Sequence, residues 1–173
     1  MILVGIGSNL PAYGHRSPFE TGHAALRALS AHGIGVLATS PWYESAPVPV
    51  DDTQPWFANA VVSVSGPDDP AELLRGLHAV EAAHGRTRTR RNEARTLDLD
   101  LLDHSGRIES GWPVLPHPRM HLRAFVLLPL IDLAPGWIHP RLGLSARELL
   151  ADLPPDQRVR AIAPGAMRPR GTP

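Results

Sequence analysis

The segment RTLDLDLL, residues 95–102, alternates leucine with aspartate over most of its length. Alternation of this kind predicts a half-buried β-strand, because successive side chains of a strand point to opposite faces of the sheet. The leucines then face a core, while Asp98 and Asp100 share the other face about 7 Å apart. The chain is therefore expected to form a sheet with one face that carries two neighbouring carboxylates.

Two ionised carboxylates on one face repel each other, and burial raises the cost of that repulsion. A divalent cation between them would relieve it, and Mg²⁺ is usually held by one or two carboxylates together with substrate phosphates. The acidic pair thus indicates a magnesium site. The alternative for an isolated Asp-x-Asp is an amphipathic edge strand with its acids in water.

An arginine-rich segment, GRTRTRRNEAR at residues 85–95, directly precedes the acidic strand. It holds five of the seventeen basic residues, all of which are arginine because the chain has no lysine. Gly85 and Asn92 favour a loop, and the planar guanidinium group suits bidentate phosphate binding. Positive charge beside a metal-ready acidic pair is what polyphosphate chemistry needs. The alternative is a solvated basic loop neutralised by Asp98 and Asp100.

The composition describes one globular protein. Its 173 residues suffice for one domain, and a formal net charge of zero argues against a general nucleic-acid binder. The lack of cysteine excludes disulfides and thiolate sites, and the lack of lysine excludes a Walker P-loop. The N-terminal MILVGIGSNL lacks the basic start of a secretory signal, and no apolar run approaches the ~20 residues of a membrane span. We predict a cytoplasmic protein that binds neither nucleic acid nor membranes.

Periodicity and helix-end signals predict the order of the elements. Strands are predicted at residues 2–7, 34–43, 56–65 and 96–102. Helices are predicted at residues 19–32, 70–84, 122–134 and 145–152. The order β-α-β-β-α-β predicts a ferredoxin-like α+β sandwich, in which helices pack on one face of an antiparallel sheet and the other face stays available. We expect a single catalytic domain at 1–153 and a loosely packed Pro/Arg-rich tail at 154–173, with a short strand at 158–163.

Several motifs together resemble those of the 6-hydroxymethyl-7,8-dihydropterin pyrophosphokinase family. The resemblance runs in collinear order over roughly residues 3–135. The segments that carry it are GIGSNL at 5–10, SPWYESAPV at 40–48, FANAVV at 57–62, RTLDLDLL at 95–102 and LPHPRMHLRAFVLLPL at 115–130.

The resemblance implies a specific reaction. The β,γ-pyrophosphoryl group of MgATP would pass to the hydroxymethyl oxygen of the pterin, releasing AMP. Asp98 and Asp100 would hold two Mg²⁺ ions, with ATP as co-substrate. No dedicated side-chain base is needed, and we expect a monomer that acts on these two small molecules.

The resemblance also implies roles for residues on the nucleotide side. Arg86 and Arg95 match the motif arginines on either side of the catalytic loop and would clamp the phosphates in the transition state. Arg95 would also contribute to nucleotide binding. The other residues that the resemblance assigns to the nucleotide are Glu81, Arg88, Arg91, His117 and Arg123.

On the pterin side, the amide of Asn59 offers both a donor and an acceptor to the ring edge. Ser45 and the backbone of Ala46 would bind the other polar groups, and Phe57 and Phe125 would flank the flat ring. Val48 is the last residue that the resemblance assigns to pterin binding. The alternatives are a structural hydrogen bond for Asn59 and a plain core position for Phe125.

Two departures from the family pattern lie close to these motifs. Asn92, Glu93 and Ala94 stand where the family often has tryptophan and a Gly-Pro pair, so that Arg91 would take over the stacking contact. Pro118 stands where a tyrosine sometimes follows the motif histidine, and it also removes the glutamate that a zinc motif would need between His117 and His121.

Two alternative functions stay open at the level of sequence. A metal-dependent nucleotide-sugar transferase would use the same Asp-x-Asp pair, but such folds are usually larger and built of alternating β/α units. A ferredoxin-like RNA-binding module would need aromatic residues along its central strands.

Residues 11–18 and 84–94 are the loops expected to close over ATP.

Overall fold

The computed structural model describes residues 1–49, 51–86 and 96–163. These ranges form a sheet of six strands, in which every pairing is antiparallel. The order is β5-β1-β4-β3-β6, and β2 also pairs with β4. The strands are β1 (Ile2–Ser8), β2 (Gly35–Thr39), β3 (Tyr43–Ser45), β4 (Phe57–Ser65), β5 (Asp98–His104) and β6 (Val159–Ala161).

Four α-helices accompany the sheet in the same ranges: α1 (Pro18–Ala28), α2 (Pro70–Ala83), α3 (Ala124–Leu133) and α4 (Ala146–Ala151). Short 3₁₀ helices follow α1 at Leu29–His32 and precede α3 at Met120–Leu122. Proline is the first residue of both α1 and α2, where its missing N–H costs no intrahelical bond. The caps before them are the Ser17 hydroxyl, which accepts from the Glu20 N–H, and the Asp69 carboxylate, which accepts from the Ala71 N–H.

The predicted ferredoxin-like sandwich is confirmed, but both faces of its sheet carry helices. α1 and α2 cover one face, where Leu29, Leu73 and Leu77 pack against apolar residues of β1, β4 and β5. α3 covers part of the other face and α4 packs against α3, so that Leu127 and Leu149 belong to a second core. The expectation of a face left fully available was wrong, because the apolar α3 needs the sheet to bury its side chains.

The strand predicted at residues 34–43 is divided into β2 and β3. Between them, the Ser40 hydroxyl accepts from the Val61 N–H at 3.0 Å, so a side chain replaces a backbone partner for β4. Pro41 has no N–H to offer a ladder. Trp42 turns into the core and packs edge-on against Phe19, with ring centroids 5.6 Å apart. The break therefore follows from three consecutive side chains.

The C-terminal part of the chain is described as far as residue 163. The short strand predicted at 158–163 is confirmed as β6, which pairs with β3, while residues 164–173 lie outside the described residues. The division between a domain at 1–153 and a tail stays a prediction. In the described ranges, none of the helices is both long enough and apolar enough to cross a membrane.

Candidate active site

A cavity of about 500 Å³ lies on the α3 side of the sheet. Strands β1, β4 and β5 form its floor, the start of α3 forms one wall, and the segment after β3 forms the opposite wall. Of the residues proposed from sequence, the cavity is lined by Ser45, Ala46, Val48, Phe57, Asn59, Asp98, Asp100, Arg123 and Phe125.

The acidic pair stands opposite two glycines of β1. Asp98 pairs with Gly7 and Asp100 with Gly5. A Cβ on Gly7 would meet Asn59 Oδ1 at 3.3 Å, and one on Gly5 would meet the Leu102 side chain at 3.4 Å. The glycines thus leave the floor of the cavity open in front of the carboxylates.

Asp98 is held by an arginine that is itself anchored below the cavity. Arg86 Nη1 lies 2.6 Å from Asp98 Oδ1 and also contacts Glu81 Oε1. Glu81 is 1% exposed, and the same oxygen accepts from the Leu99 N–H at 2.7 Å. The Glu81 side chain therefore orients Arg86 and fixes the backbone of β5 at Leu99. Glu81 is not among the residues that line the cavity. The sequence pointed to the nucleotide as its partner and missed these two contacts.

Asp100 has two nitrogen-bearing neighbours from the segment before α3, a cationic arginine and a histidine. Arg123 Nη1 lies 3.4 Å from Asp100 Oδ2, and His117 Nε2 lies 4.0 Å from Asp100 Oδ1. Burial lowers the pKa of His117, and the nearby Arg123 and Arg119 lower it further, while Asp100 raises it. The Nδ1 of His117 accepts from the Arg119 N–H at 3.2 Å, so Nδ1 is unprotonated and the ring carries its proton on Nε2.

Among the residues that the resemblance assigned to the pterin, Asn59 is 4% exposed and its Nδ2 donates to Ser45 Oγ at 3.0 Å and to the Phe57 carbonyl at 3.3 Å. The Ala46 N–H already donates to the Arg158 carbonyl at 3.0 Å, so the backbone contribution expected from Ala46 is limited to its carbonyl. The guanidinium of Arg123 lies 5.4 Å from the centroid of the Phe125 ring.

Some residues around the cavity were missed from sequence. Asp51 belongs to a proline-rich loop, and its carboxylate accepts from the Thr53 backbone and hydroxyl and from the Gln54 amide. These bonds lower the pKa of Asp51. The Asp-x-Thr turn pattern could have located this loop, but not the cavity it borders. Other lining residues that were not among the predicted site residues include Pro47, Pro49, Arg119 and Leu122.

Three of the predicted arginines, Arg88, Arg91 and Arg95, lie outside the described residues, as do Asn92, Glu93 and Ala94. The structure therefore does not describe how these arginines or the departure at Asn92 relate to the cavity. Arg86 stands at the last described position before this gap and is the arginine of the segment whose contacts are known.

The acidic pair suits a magnesium ion whose other ligands are phosphate and water oxygens. Asp98 and Asp100 side chains are 21% and 34% exposed towards the cavity. Within the described ranges, no group of three or more His, Cys, Asp or Glu residues is placed to hold a metal. Two carboxylates completed by phosphate and water oxygens are the usual environment of Mg²⁺.

Comparison with known proteins identifies the relatives of the chain. The family model described as 7,8-dihydro-6-hydroxymethylpterin-pyrophosphokinase matches residues 3–135. A 2-amino-4-hydroxy-6-hydroxymethyldihydropteridine pyrophosphokinase from Synechocystis is 37% identical over 164 residues, which cover 94% of this chain and 80% of the relative. The enzyme of the same name from Haemophilus influenzae is 37% identical, covering 79% of this chain and 83% of the relative.

The fold also has a solved neighbour, and larger relatives exist. A crystal structure of Plasmodium falciparum HPPK-DHPS superposes with a TM-score of 0.61 at 15% identity, over 87% of this chain and 42% of that one. The mitochondrial folate synthesis bifunctional protein of Arabidopsis thaliana is 41% identical, and the match spans 76% of this chain and 23% of the plant protein. With the family model matched over most of its length, the chain belongs to the 7,8-dihydro-6-hydroxymethylpterin pyrophosphokinase family.

Proposed function

We propose that the cavity on the α3 side of the sheet is where this chain carries out the reaction of its family. The chain is an ATP-dependent pyrophosphokinase, which transfers pyrophosphate from ATP to 6-hydroxymethyl-7,8-dihydropterin in folate synthesis. The observation that carries the proposed location is the row formed by Asn59, Gly7 and Asp98 across three strands. An amide suited to the pterin and a carboxylate suited to Mg²⁺ face the same space.

In this proposal Asp98 and Asp100 hold two Mg²⁺ ions that arrive with ATP. When bound there, the ions would supply positive charge that neutralises part of the charge on the phosphates. The partial exposure of both carboxylates supports this role, because a carboxylate sealed in the core could not reach a phosphate.

The arginines supply the remaining positive charge. Arg86 is oriented by the buried Glu81, and Arg123 lies beside Asp100, so both guanidinium groups are held near the acidic pair before any ligand arrives. Such preorganised charge stabilises the charge that develops on the transferred group. Neutral His117 can donate a hydrogen bond to a phosphate oxygen without adding charge. Arg88, Arg91 and Arg95 belong to the same proposal on the resemblance alone.

The pterin would lie between Phe57 and Phe125, with its polar edge towards Asn59 and Ser45. Asn59 keeps its Oδ1 facing Gly7, while its Nδ2 is oriented by Ser45. In the reaction the hydroxymethyl oxygen forms a bond to the β-phosphorus, and the bond between that phosphorus and the α-phosphate oxygen breaks, so AMP leaves. The role of the described residues is to align these two atoms.

The proposal extends to the state of the protein. We propose a cytoplasmic monomer, because the reaction consumes ATP and nothing in it needs a second copy. Its ligands are small molecules, and the net charge of zero gives no support for nucleic-acid binding. Family membership also disfavours the nucleotide-sugar transferase and the RNA-binding module.

A direct assay tests the function. Incubated with ATP, Mg²⁺ and 6-hydroxymethyl-7,8-dihydropterin, the protein should release AMP only when the pterin is present. Asp98→Asn and Asp100→Asn should each lower the rate by at least about 10³-fold while the circular dichroism spectrum is unchanged. Asp152→Asn, an exposed carboxylate after α4, is the matched control and should keep the wild-type rate. Turnover within a few-fold of wild type in either cavity variant would rule out the metal role.

A further inference from the structure

A C-terminal strap, defined here as residues 157–162, lies beyond the 3–135 segment that the family model matches. It contains β6, which pairs antiparallel with β3. Val159 stands opposite Ser45, and the Arg158 carbonyl accepts from the Ala46 N–H at 3.0 Å. The strap therefore holds the wall of the cavity that follows β3.

The opposite wall is held by the side chain of Gln157. Its Oε1 accepts from the Ala124 N–H at 2.8 Å, and its Nε2 donates to the Leu122 carbonyl at 3.0 Å. α3 begins after Arg123, whose side chain makes no capping bond to the helix. A helix start needs partners for its first N–H groups, and here Gln157 supplies one from a distant part of the chain.

The two bonds of Gln157 enclose the residue that reaches the acidic pair. Arg123 lies between the bonded groups of Leu122 and Ala124, and its Nη1 contacts Asp100. Phe125 follows immediately and lines the cavity. Because Gln157 and Arg158 are consecutive, the Gln157 side chain and the Arg158 carbonyl together tie the start of α3 to the backbone of Ala46.

We propose that Gln157 is a positioning residue for the pterin site. It fixes the position of Phe125 relative to Ala46, whose neighbour Ser45 pairs with Phe57, and so the width of the slot between Phe57 and Phe125 that takes the flat ring.

This inference rests on the proposed function. It predicts a larger effect on the pterin than on ATP. Ala46 and Phe125 both border the pterin slot, whereas Arg123 is one of several groups proposed for the nucleotide, and Arg86 and Asp98 are held by contacts that do not involve Gln157.

Steady-state kinetics with both substrates tests the proposal. Gln157→Ala should raise the KM for the pterin about tenfold and the KM for ATP by no more than about threefold, because Arg123 lies between the two bonded groups. Gln157→Met, of similar length but without an amide, should behave like Gln157→Ala. Gln157→Glu keeps an acceptor for the Ala124 N–H and should recover most of the pterin affinity. Asp156→Ala, the exposed neighbour, is the matched control and should match wild type.

Equilibrium binding of the pterin, measured by calorimetry with a non-hydrolysable ATP analogue at a temperature where every variant is folded, separates positioning from stability. A pterin KM for Gln157→Ala within about twofold of wild type, or an equal rise for both substrates, would overturn the inference alone. A wild-type protein without pterin-dependent AMP release would overturn the proposed function and the inference with it.

Discussion

Asn59 of β4 and Asp98 of β5 lie in one row on the cavity face and are separated only by Gly7 of β1. Two strand spacings set their backbones about 10 Å apart. The row places the group proposed for the pterin and the group proposed for Mg²⁺ on rigid strands, so their separation does not depend on a loop.

Gly7→Ala is expected to weaken pterin binding without unfolding the protein. The new Cβ would lie 3.3 Å from Asn59 Oδ1 and would force the amide to shift. We expect the pterin KM to rise about tenfold, while the free energy of unfolding changes by less than about 1 kcal/mol. Gly111→Ala, where nothing lies within 4 Å of the added atom, is the control for kinetics and denaturant unfolding. An unchanged pterin KM would contradict the assigned position of the ring.

Glu81 variants should separate stability from catalysis. Glu81→Leu leaves the buried Leu99 N–H without an acceptor and Arg86 without its anchor, so we expect a loss of roughly 2–4 kcal/mol in the free energy of unfolding. Glu81→Gln keeps an acceptor for Leu99 but removes the charge that orients Arg86. We expect it to lose only about 1 kcal/mol and to lower kcat about tenfold.

Urea unfolding and initial-rate measurements on the two Glu81 variants check this expectation. Glu72→Gln, in the first turn of the same helix, is the control. Equal kcat values for Glu81→Gln and wild type would show that the orientation of Arg86 does not limit the reaction.

Ser45→Ala removes the acceptor that orients the Asn59 amide. The side chain can then rotate, so its donor and acceptor no longer point reliably at the ring. We expect a rise of about fivefold in the pterin KM, an unchanged KM for ATP and a loss of about 1 kcal/mol in stability. Ser65→Ala, at the exposed end of β4, should change none of these values. A comparable rise in the KM for ATP would argue against a pterin-specific role.

His139 should make the protein less stable in acid. It is 3% exposed, and burial lowers its pKa, with His121 adding to the decrease and Asp103 opposing it. Because the folded pKa lies below the unfolded value near 6.5, the contribution to stability is complete above that pH and is lost as the pH falls below it.

His139→Asn tests this dependence while preserving the turn. The side-chain oxygen of the introduced asparagine can accept from the backbone N–H groups of Arg141 and Leu142, as His139 Nδ1 does. Denaturant unfolding at about pH 8 and about pH 5 should show a smaller acid-induced loss in the variant than in wild type. Equal losses would assign the acid sensitivity to other groups.

Local patterns in the sequence predicted much of the fold. Alternation located β4 and β5, Pro70 and Gly85 marked the ends of α2, and Gly33 marked the end of the 3₁₀ helix that follows α1, because these signals depend on neighbouring residues. The break at Pro41 was missed because it depends on the Ser40 hydroxyl meeting Val61, twenty-one positions away. The side of the sheet chosen by α3 was missed for a similar reason, since an apolar helix does not specify which face it covers.

In the candidate site, too, local motifs predicted some residues, while contacts made by tertiary packing were missed. Residues whose chemistry is visible in a motif, such as Asp98 and Asn59, line the same cavity. The contacts of Glu81 with Leu99 and Arg86, and those of Gln157 with α3, could not be predicted because tertiary packing brings these groups together.

The pairing of β6 with β3 also protects the protein from association. β3 is short, and without β6 its outer backbone groups would form an open edge that another chain could extend. β6 covers that edge with only three residues, and Arg160 places its charge there, between Glu44 and the Trp56 ring. Removing the residues from 157 onward would therefore expose the edge of β3 to strand addition by another chain. Such a fragment should aggregate at high concentration.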